Sequence, residues 1–114
     1  IHCDSLLDSS KTGATILVPN KDCEWTKEIY ENSYKFATIL QEKLKGENIK
    51  VNGVFERKDI TGFNWSKVPV VILEMGFMSN YTEDTMLSNP DYQKKLMNCV
   101  SEAIDEYQNV MVKR

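Results

Sequence analysis

An open α/β sheet, mainly parallel and twisted, with helices on both faces, is the fold class this sequence predicts, and three observations carry it. Pro69 to Glu74 (PVVILE) is a continuous, β-branched run without polar alternation, the pattern of a strand covered on both faces. Two long segments, about residues 23 to 45 and 90 to 110, carry apolar residues at helical spacing. Thr15 to Val18 adds a second short β-branched run. Strands separated by long amphipathic helices assemble into sheets of this kind, and their ligands gather beyond the carboxyl ends of the strands.

In chain order, Thr15 to Val18 is stopped by Pro19, and the residues through Asp22 turn the chain. From Cys23 to Lys45, the residues Ile29, Phe36, Ala37, Leu40 and Leu44 share one helical stripe while the charged residues mostly lie off it, and Gly46 is placed to end the helix in a left-handed conformation. Lys50 to Phe55 reads as an edge strand weakened by Gly53. Asp59 to Ser66 reads as a polar loop in which Phe63 and Trp65 stand, and Val68 to Glu74 as an interior parallel strand. Asn80 followed by Glu83 fits a polar cap with an acidic third helical residue. Asn89 before Pro90 starts the last helix, whose apolar face is Tyr92, Leu96, Val100, Ala103, Ile104 and Tyr107. No repeat or linker divides residues 1–114, so a single domain is expected.

Composition narrows the functional classes. The 114 residues are 41% hydrophobic and 10% aromatic, enough for a folded core, and the net charge of -3 is spread without a Lys/Arg block. That distribution offers no footprint for nucleic acid or an anionic membrane surface. No apolar run approaches the roughly 20 residues that cross a bilayer. Cys3, Cys23 and Cys99 are odd in number and unrelated in spacing, which predicts buried free thiols instead of a disulfide framework or a cysteine zinc site.

Two strand ends carry residues capable of chemistry. His2 is the sole histidine, and a neutral imidazole is the commonest protein ligand for zinc; taken alone it is a weak signal, since such a histidine is more often a packing or surface residue. Glu74 ends an apolar strand, where an ionised carboxylate costs several kcal/mol unless it is paired, protonated or near a metal. Its bland reading is a side chain already emerging into water. Gly76 directly afterwards permits a close approach.

These segments resemble a family. Ile1 to Ser5 (IHCDS) is similar to the strand-end motif of the zinc-dependent N-acetylmuramoyl-L-alanine amidases, and Val71 to Asn80 (VILEMGFMSN) to their second signature, with a long helix between them. Arg57 to Pro69 (RKDITGFNWSKVP) resembles the version of the intervening segment found in Gram-positive bacteria and their phages. The resemblance implies that His2 is a zinc ligand and Glu74 the catalytic acid/base, and that zinc is the cofactor. Its other ligands, one His and one Glu, belong to N-terminal strands that are missing from this sequence. Cys3, next to His2 on a strand, is expected to face away from the metal.

The implied reaction is hydrolysis of the amide between the lactyl group of N-acetylmuramic acid and L-alanine. Glu74 moves a proton from water to the departing nitrogen while zinc supplies Lewis acidity. A zinc held by one histidine lacks the usual three protein ligands, so the chain by itself is expected to be inactive. Peptidoglycan is the expected partner and the cell wall, after secretion, the expected location, across host autolysins, sporulation amidases and phage endolysins alike. Arg57, Asn64 and Trp65 are candidate substrate contacts, against an ion pair with Glu56 for Arg57 and an edge-plugging role for Trp65. With strands missing, self-association through an exposed sheet edge, or pairing with the missing N-terminal half, is expected. The second reading is a non-catalytic peptidoglycan-binding or regulatory module derived from the same fold.

Overall fold

The computed structural model describes residues 2–4, 12–77 and 79–112. In chain order these form β1 (His2–Asp4), β2 (Ala14–Pro19), α1 (Lys27–Gly46), β3 (Val51–Arg57), α2 (Thr61–Asn64), β4 (Ile72–Phe77), α3 (Tyr81–Leu87) and α4 (Pro90–Val112). The four strands make one open sheet in the order β1-β4-β2-β3. β1 runs parallel to β4 and β2 parallel to β3, while β4 and β2 are antiparallel. The sheet is therefore mainly parallel, with β4 in its interior.

The core collects on one row of the sheet. Ala14, Ile16 and Val18 of β2 and Leu73 of β4 are buried with Ala37, Leu40 and Leu44 of α1 and Leu96, Cys99 and Ala103 of α4. Each fully buried leucine contributes on the order of 1.5–3 kcal/mol, so the two long helices and the β2/β4 pair form one cooperative unit. Ile104, expected on the apolar face of α4, is exposed. It sits at the flank of α4 beside Phe36, Pro69 and Tyr107, around a shallow cavity of about 290 Å³.

Local chemistry moves several boundaries. The interior strand begins at Ile72 instead of Val68 and continues through Gly76 to Phe77. Pro69 has no N–H to give to a ladder, and the Val70 N–H donates to Ser33 Oγ of α1 at 2.9 Å, so this stretch is held by the helix before it can join the sheet. Helix α1 starts at Lys27, after a turn in which the Thr26 and Lys27 N–H groups donate to the Cys23 carbonyl. It ends differently from the expectation as well: Gly46 is the last helical residue, and the left-handed residue is Asn48, with φ of 61°. Asn48 turns the chain so that the Ile49 N–H returns to the Leu44 carbonyl at 3.0 Å, and Ile49 is buried. The loop after β3 contains the short helix α2, and its plug is Phe63, 1% exposed, while Trp65 is 81% exposed.

The caps read from the sequence are present. Asn80 accepts the Glu83 N–H at 3.1 Å at the start of α3. Asn89 accepts the Asp91 and Tyr92 N–H groups at 2.8 and 3.3 Å ahead of Pro90.

Candidate functional site

The site is built on β4 between its two neighbours. On β1, His2 stands in register with Glu74, and on β2, Thr15 does. Thr15 is in turn opposite Gly53 on β3. One transverse line therefore crosses all four strands through His2, Glu74, Thr15 and Gly53. Adjacent strands lie about 4.8 Å apart, so two positions 72 residues apart in sequence, one bearing an imidazole and one a carboxylate, are brought to a single strand spacing. The side chains of His2 and Cys3 lie outside the described residues, as do Ile1, Ser5 and Met78 of the two motifs.

Alternation along β4 puts Glu74 on the row opposite the core. Leu73 pairs with Ile16 and both are buried, whereas Glu74 pairs with Thr15 and Ile72 with Leu17, all four half-buried. Toward β2 and β3 the side chains on that row are short. Thr15 is a small side chain, and Gly53 has none, its φ of 146° and the Phe55 ring 3.1 Å from a would-be Cβ both opposing any other residue. Glu74 itself is half-buried, so its carboxylate is partly shielded and still reached by solvent. The ion pairs among the described residues are Lys43–Glu106 and Arg57–Asp59, and Glu74 belongs to neither.

Past Glu74 the register shifts: β1 advances two residues, from His2 to Asp4, while β4 advances three, from Glu74 to Phe77. Such an irregularity bends a strand and re-aims its side chains. Here it leaves Gly76 and Phe77 both buried. The turn that follows is organised by Glu83, a residue the sequence offered only as a cap partner. Its Oε1 accepts the Gly13 N–H at 2.7 Å and the Phe77 N–H at 3.3 Å, and its side chain is buried. Glu83 ties the start of β2 to the end of β4, and a Cβ on Gly76 would stand 3.0 Å from that same oxygen. The signal that could have found it was the close approach demanded at Gly76.

The candidate substrate residues lie elsewhere, Arg57 at the end of β3 and Asn64 and Trp65 at the end of α2. Arg57 forms a two-point pair with Asp59, at 2.8 and 2.7 Å, and not with Glu56, whose Oε1 accepts the Lys21 N–H. The guanidinium holds the Asp59 carboxyl below its usual range, and the pair is exposed. A substrate carboxylate would have to displace Asp59. Asn64 donates to the Lys58 carbonyl at 3.2 Å, and with Trp25 and Trp65 it lines a cavity of about 220 Å³. Among the cysteines, Cys99 is buried, and burial pushes its thiol up, while Cys23 is only half-buried; both are free.

As a zinc site the arrangement is a partial fit. The register sets the histidine position beside a carboxylate, but among the described residues no group of three or more His, Cys, Asp or Glu side chains could hold a metal. No helix among them is long and apolar enough to cross a membrane.

Comparison with known proteins gives a concordant picture. Residues 1–106 match the family described as N-acetylmuramoyl-L-alanine amidase. A probable cell wall amidase, LytH of Staphylococcus aureus, is 24% identical over 107 residues, covering 94% of this chain and 33% of LytH. Among solved structures, the CwlD amidase of Clostridioides difficile, in complex with the GerS lipoprotein, superposes with a TM-score of 0.81 at 27% identity, over 95% of this chain and 52% of that one. Ami1 of Mycobacterium smegmatis, an N-acetylmuramyl-L-alanine amidase, has a TM-score of 0.82 at 20% identity, over 95% and 51%. The chain spans about a third of the length of this curated relative and half that of these structures.

Proposed function

Because the chain belongs to the N-acetylmuramoyl-L-alanine amidase family, we propose that it contributes one wall of a peptidoglycan amidase site, in which Glu74 is the proton carrier and His2 one zinc ligand. The observation that carries this reading is the register of His2 with Glu74 on adjacent strands, one with its neighbour the only histidine of the chain. The bond is the amide joining the muramic acid lactyl carbonyl to L-alanine. Hydrolysis adds water across it, giving the carboxylic acid and a free alanine amine.

In this reading the Glu74 carboxylate accepts a proton from the attacking water and delivers it to the departing nitrogen, so that the C–N bond breaks without expelling an amide anion. Placement on a strand between two hydrogen-bonded neighbours fixes the position of the carboxylate better than a loop would. Half-burial keeps competing water sparse while the short Thr15 and Gly53 leave room for substrate. Zinc, when bound, would supply Lewis acidity at the carbonyl. One histidine does not complete a catalytic site that takes three protein ligands and an open position. The family resemblance implies that a further His and a Glu complete it, and residues 1–114 alone are proposed to be inactive. The cell wall is the proposed place of action, as for the cell wall amidase it is similar to.

The test is digestion of purified peptidoglycan by the full-length enzyme. New N-terminal alanine amines without new reducing sugar ends are expected. His2→Ala should lower bound zinc, measured by metal analysis, with the circular dichroism unchanged. Undiminished zinc in that variant would sink the ligand assignment, and reducing ends in place of alanine amines would sink the reaction.

A further inference from the structure

The chain holds two tryptophans, Trp25 and Trp65, and both are exposed, at 75% and 81%. Leaving a large apolar ring in water forgoes the burial that normally places tryptophan inside. A single case would be unremarkable, but these two converge, together with the amide of Asn64, on one cavity of about 220 Å³. They come from different segments. Trp25 lies in the turn between β2 and α1, and Trp65 directly follows α2.

Both rings are carried on ordered backbone. Next to Trp25, Thr26 is 1% exposed and its hydroxyl donates to the Asn20 carbonyl at 2.9 Å. Two residues before Trp65, Phe63 is buried, and the Trp65 N–H donates to the Thr61 carbonyl at 3.1 Å. The two turns also meet: the Cys23 thiol approaches Asn64 Oδ1 at 4.0 Å. Exposure of the tryptophans is thus imposed by anchored neighbours.

From this convergence we infer that Trp25, Trp65 and Asn64 form a saccharide-binding subsite that grips the glycan strand away from the scissile amide. Among the described residues the lining carries no ionised group, which disfavours the charged stem peptide and suits a neutral sugar. Flat indole faces match the apolar C–H faces of a pyranose ring, and a carboxamide can pair with an N-acetyl group. The cavity lies below the roughly 300–1,000 Å³ typical of drug-sized ligands, in keeping with one sugar residue. The strands separate this place from Glu74. Glu74 is level with Thr15, whereas Trp25 follows the end of β2 at Pro19, four residues on along that strand, a rise of roughly 13 Å at about 3.3 Å per residue. A ring bound there belongs to a neighbouring sugar of the same strand and not to the muramic acid being cleaved. The inference rests on the amidase reading for the identity of the polymer.

The experiment reads binding without hydrolysis, so it fails or succeeds separately from that reading. The intrinsic fluorescence of the full chain is titrated with the β-1,4-linked tetramer of N-acetylglucosamine, with maltotetraose and stem pentapeptide as comparisons. The expected result is a saturable spectral change with the first alone, weakened at least tenfold in Trp25→Ala and in Trp65→Ala. Because both side chains are exposed, the circular dichroism of these variants should match the parent. If either variant misfolds, the indole N–H resonances of the unaltered chain report the same titration. Absence of a response to the tetramer, an equal response to maltotetraose, or a response to the pentapeptide alone would each overturn the proposal.

Discussion

Glu74 and Glu83 stand on either side of the same strand end, nine positions apart, and the fold treats them in opposite ways. Glu83 is buried, with one oxygen engaged by the Gly13 and Phe77 N–H groups. Glu74 is half-buried in an interior strand, outside both ion pairs of the described residues, on the row that faces away from the core. A carboxylate whose lone pairs already serve the backbone is poorly placed to shuttle protons. One standing on a rigid strand without such duties has its chemistry left over for a ligand. The contrast teaches that burial of an acid marks architecture here, while a half-buried acid outside the ion pairs of the described residues is the candidate for chemistry.

The comparison can be broken most directly at Glu74. Glu74→Gln removes the proposed proton carrier and little volume, so in the full-length enzyme turnover should fall by about 10²–10⁴-fold while the thermal midpoint stays within about a degree of the parent. A large loss of stability in that variant would mean that Glu74 is structural too. Glu83→Ala should show the reverse order of effects. It strands two buried N–H donors and should cost about 2–4 kcal/mol, read as a shift of the urea midpoint; an unchanged midpoint would remove the architectural role.

Two smaller changes sharpen the picture around Glu83. Gly76→Ala sets a methyl group 3.0 Å from Glu83 Oε1 and 3.3 Å from Leu87 Cδ1, and overpacking of this kind should cost about 1–2 kcal/mol. A neutral result would show that the clasp can move aside. Asn80→Ala removes the side-chain acceptor for the Glu83 N–H and should cost about 1 kcal/mol in the same denaturation assay. Combined with Glu83→Ala, its effect should be less than additive, because both act on the first turn of α3.

Much of this was legible in the residues. The 3.6-residue stripes located α1 and α4, the β-branched run located β4, and the Asn80 and Asn89 caps were readable because each acts within four residues. Glu74 could be singled out because a carboxylate in such a run is costly. What escaped the sequence depends on distant partners. Nothing near Glu83 announces Gly13, 70 positions away. Nothing near Val70 announces that Ser33 will take its N–H and delay the strand to Ile72. The choice of Asn48 over Gly46 for the left-handed turn follows from where Ile49 must be buried. Trp25 drew no notice because its meaning appears only when Trp65 is brought beside it.

The clasp through Glu83 also bears on the order in which the molecule assembles. It closes a loop of 70 residues, and such contacts form only after the chain entropy of bringing distant segments together has been overcome. The helices, whose contacts are local, can form long before it. An interaction made that late contributes little to the folding transition state, so its removal should leave the refolding rate nearly unchanged and accelerate unfolding instead. For Glu83→Ala, stopped-flow traces should show the whole deficit in the unfolding arm. The buried carboxylate would then act as a latch on the lifetime of the native state.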